Sequence, residues 1–167
     1  MADLWESRRV APEHPQVRHV AEALRERAAH GEVRMLPDSA RTAEQAATAL
    51  GCEVGAIANS LIFDAGGEPL LILTSGSHRV DTAKVAADHD LATLRRAAPD
   101  FVRAHTGQTI GGVSPVGHPT PLRTFVDTEL ARHGTVWAAA GHPHAVFPTT
   151  YDELLHVTCG AAISVEG

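Results

Sequence analysis

Between Thr106 and His118 the chain reads Thr-Gly-Gln-Thr-Ile-Gly-Gly-Val-Ser-Pro-Val-Gly-His, a segment without any acidic or cationic side chain except its terminal histidine. Glycine lets a main chain approach a ligand closely. Gly111 and Gly112 followed by Pro115 therefore suggest a bent loop whose N–H groups face something electron-rich, as in anion nests and oxyanion holes. A plain surface turn is the competing reading, since Gly and Pro punctuate loops everywhere. Ser114 within this loop is a poor nucleophile candidate. The run Gly112-Val-Ser-Pro-Val-Gly117 misses the G-x-S-x-G elbow by one residue, and Pro115 removes the N–H that would follow the serine. No P-loop and no GxGxxG after a strand is present.

Two other places could carry chemistry. His142 and His144 lie two apart, so a strand would put both imidazoles on one face, a spacing compatible with metal ligation. No third ligand is evident, and neither a metal nor another cofactor is expected. Gly141-His142 closes an apolar strand and could line a pocket. Asn59 shares a strand face with Ile57, Leu61 and Phe63, where a buried amide must find partners. It bonds a neighbouring loop or faces a ligand.

The elements that must position these residues follow from hydropathy. Val17, Val20, Ala21, Leu24 and Ala28 recur at helical spacing between His14 and His30, ended by Gly31, and Glu32–Leu36 alternates like a strand. Thr42 with Gln45 is a capping-box pattern for a helix closed by Gly51. Two strands, Ile57–Phe63 and Pro69–Thr74, flank Asp64-Ala-Gly-Gly67, a hairpin turn. Asp81 caps a short helix, and Pro99 opens another. Arg123–Val126, Thr135–Ala140 and His144–Phe147 read as strands, with a helix over Asp127–Arg132. Thr150 with Glu153 starts a last helix, and Ala161–Val165 is a closing strand. The expected class is α/β, with a mixed, largely antiparallel sheet surrounded by helices.

The 167 residues fit one domain, 1–167, in which 1–39 supply an N-terminal helix and strand packed on the remainder. Cys52 and Cys159 are far apart, without zinc or disulfide spacing, which favours a reducing compartment. Met1–Glu6 lacks a basic region followed by an apolar run, and no membrane span is expected, so the reading is a soluble cytoplasmic protein. A formal charge of −6 argues against coating a nucleic-acid duplex, though not against a local basic pocket for a nucleotide end.

An ordered set of segments resembles the YbaK family, free-standing relatives of the editing domain of bacterial prolyl-tRNA synthetase. The set is Ile57–Phe63, Leu71–Lys84, Thr106-Gly107, Gly111–Pro115, Asp127, Ala140–His142 and Tyr151–Leu154, covering roughly residues 40–165. The resemblance implies a trans-editing deacylase that hydrolyses the ester of a tRNA mischarged with a small amino acid. Its implied partners are the 3′ end of aminoacyl-tRNA and an aminoacyl-tRNA synthetase. Gly111, Gly112, Val113 and Ser114 would supply N–H donors to the ester carbonyl, and Thr106 or the substrate's ribose hydroxyl would orient water. Asn59, Ser60, Pro115, Gly141 and His142 would contact the substrate. The family usually has lysine where this chain has Asn59, thought to hold the terminal phosphate. Either a cation such as Arg79, Lys84 or Arg103 substitutes, or the substrate differs, or the domain is a non-catalytic or divergent binder of an aminoacyl-tRNA end or nucleotide.

Overall fold

The computed structural model describes residues 14–166. The reading of Met1–Glu6 lies outside the described residues. Helix α1 (Pro15–Glu26) begins with proline at its first turn and buries Val17, Val20, Ala23 and Leu24 on one face. Strand β1 (Arg34–Met35) is followed by α2 (Ala43–Leu50). Both halves of the Thr42/Gln45 capping box are present, and Gly51 ends α2 in the left-handed conformation.

A short 3-10 turn, Val54–Ala56, leads into β2 (Ile57–Ala65), which returns as β3 (Glu68–Ser75). Gly66 and Gly67 have φ of 66° and 97°. That is the tight turn a two-residue hairpin demands. Helix α3 (Thr82–Asp88), strand β4 (Arg95–Arg96) and helix α4 (Pro99–Thr106) come next. The chain closes with β5 (Arg123–Asp127), β6 (Val136–His142), β7 (Ala145–Thr149), α5 (Tyr151–Thr158) and β8 (Ala161–Ile163).

The strands form one mixed sheet in the order β1-β7-β6-β2-β3-β5-β8, with β4 also on β2. Pairing is antiparallel at β1/β7, β6/β7, β2/β3 and β2/β4. It is parallel at β2/β6, β3/β5 and β5/β8. Strand β3 is central and apolar on both sides, as its Leu-Leu-Ile-Leu run requires. Leu71 and Leu73 join Val17, Val20, Phe147 and Leu154 in one cluster, while Leu70 and Ile72 join Phe63, Val85 and Phe125 in another. Each such side chain contributes about 1.5–3 kcal/mol on burial, so β3 ties the two layers together.

Some boundaries differ from expectation. The Asp127–Arg132 segment is a 3-10 helix over Thr128–Arg132, with Asp127 as its N-cap, the carboxylate accepting from Glu129 N–H at 3.0 Å. The strand expected over Glu32–Leu36 shortens to Arg34–Met35, and β8 ends at Ile163. Strand β4 was not anticipated: two arginines carry no apolar alternation.

Candidate functional site

The sheet is incomplete at one place. Strand β2 pairs with β6 only at Ile57 and Ala58, and with β4 only from Phe63. Between these contacts β6 leaves the edge of β2, bulging between Ala139 and His142. In the β2/β3 ladder alternate residues turn both backbone groups toward one neighbour. Gly76 N–H donates to Ile57 O at 2.8 Å on the β3 side, and Ala97 N–H donates to Ile62 O at 3.1 Å on the other. By that alternation the N–H and C=O of Ser60 face the gap.

A cavity of about 210 Å³ occupies this gap. Asn59 and Ser60 line it from β2, Arg41 and Thr42 from just before α2, Ala43 and Ala46 from α2, and Arg96 and Ala97 from the end of β4 and the residue after it. Val102 of α4, the loop residues Ile110, Gly111 and Val113, and Trp137 and Pro143 also line it, together with apolar side chains of the sheet. No carboxylate lines it, whereas two exposed arginines do. In a chain of net charge −6 this is a local reversal of sign, suited to an anion. Its volume is below the about 300–1,000 Å³ of pockets for drug-sized ligands. A group of a few heavy atoms fits inside, and anything larger must extend out of the cavity.

The glycine loop is fixed by a buried network that its sequence did not announce. Gln108, 2% exposed, accepts from Ser114 N–H at 2.7 Å through Oε1 and donates to Ser114 Oγ at 3.1 Å. Thr106 Oγ1 donates to Val102 O at 2.7 Å and accepts from Gln108 N–H at 3.0 Å. Gly112 N–H donates to Thr109 O at 3.1 Å. The expected row of four donors is thereby reduced. Gly112 and Ser114 spend their N–H groups inside the loop, while those of Gly111 and Val113 have no partner among the described residues.

Other expected contacts also shift. Thr106, Ser114, Pro115, Gly141 and His142 do not line the cavity. Gly141 (φ 96°) is needed for packing: a Cβ there would meet Gln16 O of α1 at 2.9 Å. Gly112 lies against the β6–β7 turn, where a Cβ would meet the His142 and Pro143 backbone at 2.7 Å. Lys84 is paired with Asp88 at 2.7 Å and Arg103 lies 3.6 Å from Asp100. Arg79 N–H donates to Glu166. None of the three cations lines the cavity; Arg41 and Arg96 do. A clue was available for Arg41, placed directly before the capping Thr42, but Arg96 could be found only by knowing that β4 borders β2.

The histidines form a separate cluster. His142 stacks edge-on with His14 at 5.0 Å and lies 5.6 Å from His144, whose N–H donates to His142 Nδ1 at 3.1 Å. Among the described residues no three His, Cys, Asp or Glu side chains are grouped to hold a metal. No helix of the described residues is long and apolar enough to cross a membrane.

Residues 37–157 match the family model described as "Aminoacyl-tRNA editing domain". The chain belongs to that family. This editing domain is 33% identical over 117 residues to the uncharacterized protein YwhH of Bacillus subtilis, covering 70% of this chain and 74% of that one. It is 34% identical over 91 residues to the proline–tRNA ligase of Nitratidesulfovibrio vulgaris, covering 54% of this chain but only 16% of the ligase. Among solved structures, one described as a candidate trans-editing enzyme for prolyl tRNA synthetase superposes with a TM-score of 0.84 at 42% identity, covering 92% of this chain and 98% of that one.

Two imidazoles of the editing domain are held below their usual pKa. Burial lowers that of His118, against the opposing effect of its 2.8 Å bond to Ser114 O, with Arg27 and His19 adding repulsion. Burial also lowers that of His142, followed by repulsion from His14 and His144 and partly offset by Asp38. The unfolded chain therefore binds protons that the folded one refuses, and stability falls as pH drops below the ordinary histidine value of about 6.5 toward the folded values. Melting curves between pH 8 and pH 5 should show this acid sensitivity, and His118→Gln should remove part of it.

Proposed function

We propose that this domain hydrolyses the ester between a small amino acid and the 3′ end of tRNA, acting on tRNA that is already mischarged. The observation that carries the reading is the gap in the sheet: a cavity sized for a small acyl group, lined by two residues whose backbone N–H groups are unpartnered, Gly111 and Val113, and by two arginines without an opposing carboxylate. The acyl group occupies the chamber. Gly111 and Val113 N–H groups stabilise the oxyanion that develops as water attacks the carbonyl, and one such donor is worth roughly 2.7–4 kcal/mol of barrier. Arg41 and Arg96 hold the phosphate of the terminal nucleotides in the role Asn59, being neutral, cannot fill.

No side chain lining the cavity is a base at neutral pH, and Thr106 and Ser114 are bonded internally. The attacking water is therefore oriented by the substrate's own vicinal ribose hydroxyl. An activated ester needs no protein nucleophile. The membership of an editing-domain family and the likeness to the trans-editing structure support the same reading.

The test is release of amino acid from a panel of mischarged tRNAs by the purified protein. Turnover of at least one small aminoacyl ester above the spontaneous rate is expected; spontaneous rates across the panel would remove the hydrolytic claim. Neutral Asn59 favours a second reading, a domain that binds the aminoacyl end without cleaving it. Activity created by Asn59→Lys in an otherwise inert protein would support that binder.

A further inference from the structure

We propose that Ser60 makes the cavity selective for an amino acid whose side chain carries a small hydrogen-bonding group, a hydroxyl above all, over the apolar amino acid of the same shape. The inference rests on the hydrolytic reading for its substrate class. Its evidence is separate. The inner wall beside Ser60 is apolar, made by Ala58, Ile62, Ala97, Val102 and Val113. Ser60 lines the same chamber, and its Oγ is enclosed without a hydrogen-bond partner in the protein. Its own N–H and C=O face the unpaired stretch of the β2 edge, because β6 ends its pairing at Ala58 and β4 starts at Phe63.

Two backbone groups of Ser60 therefore face the gap with its unpartnered Oγ enclosed beside them, and buried hydroxyls without partners are uncommon in folded proteins. Thr74 Oγ1 is the other buried side-chain atom in this condition among the described residues, and Thr74 does not line the cavity. A ligand hydroxyl can donate to Ser60 C=O or Oγ and accept from Ser60 N–H. A methyl group in its place leaves all of them unpaired, and sites built to bond a hydroxyl reject the analogue without one far more strongly than apolar pockets sort by size.

The experiment compares serine with alanine, and threonine with valine, each esterified to the same tRNA. The wild-type kcat/KM is expected to favour the hydroxylated member of each pair by about 10- to 100-fold. In Ser60→Ala, which removes Oγ and keeps the backbone N–H and C=O, that ratio should fall about threefold or more. A ratio unchanged by Ser60→Ala, an equal loss on both members, or a wild type without preference would overturn the inference. The comparison is repeated as Kd for 3′-amide-linked seryl and alanyl adenosine, which cannot be hydrolysed. Binding preference without hydrolysis would sink the hydrolytic reading alone, and hydrolysis without preference would sink the role of Ser60 alone.

Discussion

Gly112→Ala is expected to lower kcat by at least about 100-fold, the scale of losing one oxyanion donor. The new Cβ would lie 2.7 Å from His142 C and Pro143 N and 2.9 Å from His142 Cα. These are backbone atoms of the β6–β7 turn and cannot rotate away, so the loop must move. Gly111 and Val113, on either side, move with it. The neighbouring glycine would fail differently: Gly111 has φ 93° and open space around its missing Cβ, so alanine there costs only conformational strain of about 1–2 kcal/mol. Single-turnover deacylation by the two variants separates contact from strain. Wild-type rates in Gly112→Ala would mean that the loop takes no part in the chemistry.

Neutralising both Arg41 and Arg96 to glutamine should raise KM for aminoacyl-tRNA by about 10- to 100-fold, with a smaller change in kcat. Charge-assisted bonds from guanidinium to phosphate are among the stronger polar contacts, and Arg presents several donors at once. Both side chains are exposed, so the effect should shrink as salt rises and screens them. Arg132→Gln, whose guanidinium is tied to Glu129 at 2.9 Å away from the cavity lining, is the control for loss of charge alone. Equal KM for the double variant and the control would remove the arginines from substrate binding.

Much of the fold was legible because its signals are local. Thr42 with Gln45, Asp81, Pro99 and Thr150 each act within one helical turn, and each opens the helix read from it. Gly66-Gly67 and the Leu70–Leu73 run likewise name a turn and a central strand without reference to the remainder of the chain. The ordered motifs carried the family, since order and spacing survive where single residues do not.

The site was less legible because it is made by what the sheet leaves unpaired. Nothing in Ile57–Phe63 announces that β6 departs after Ala58 or that Arg95 and Arg96 take up the same edge at Phe63. Asn59, Ser60, Gly111 and Val113 were anticipated as contacts and do line one cavity; Arg41 and Arg96 were missed, and Arg79, Lys84 and Arg103 were offered in their place. Glycine content by itself signals freedom to approach a ligand. At Gly112 and Gly141 it is freedom to approach the protein's own backbone. Gln108 shows the same limit, since an amide that ties together residues six positions apart looks from sequence like any polar loop residue.

The most direct measurement of the central claim is a crystal structure of the protein with a 3′-aminoacylamino analogue of a terminal adenosine, whose amide replaces the ester. The account requires the acyl carbonyl oxygen within about 2.7–3.1 Å of the Gly111 and Val113 N–H groups, with the acyl group beside Ser60 and the nucleotide end between Arg41 and Arg96. An analogue seated elsewhere, or a carbonyl turned away from both amides, would contradict it.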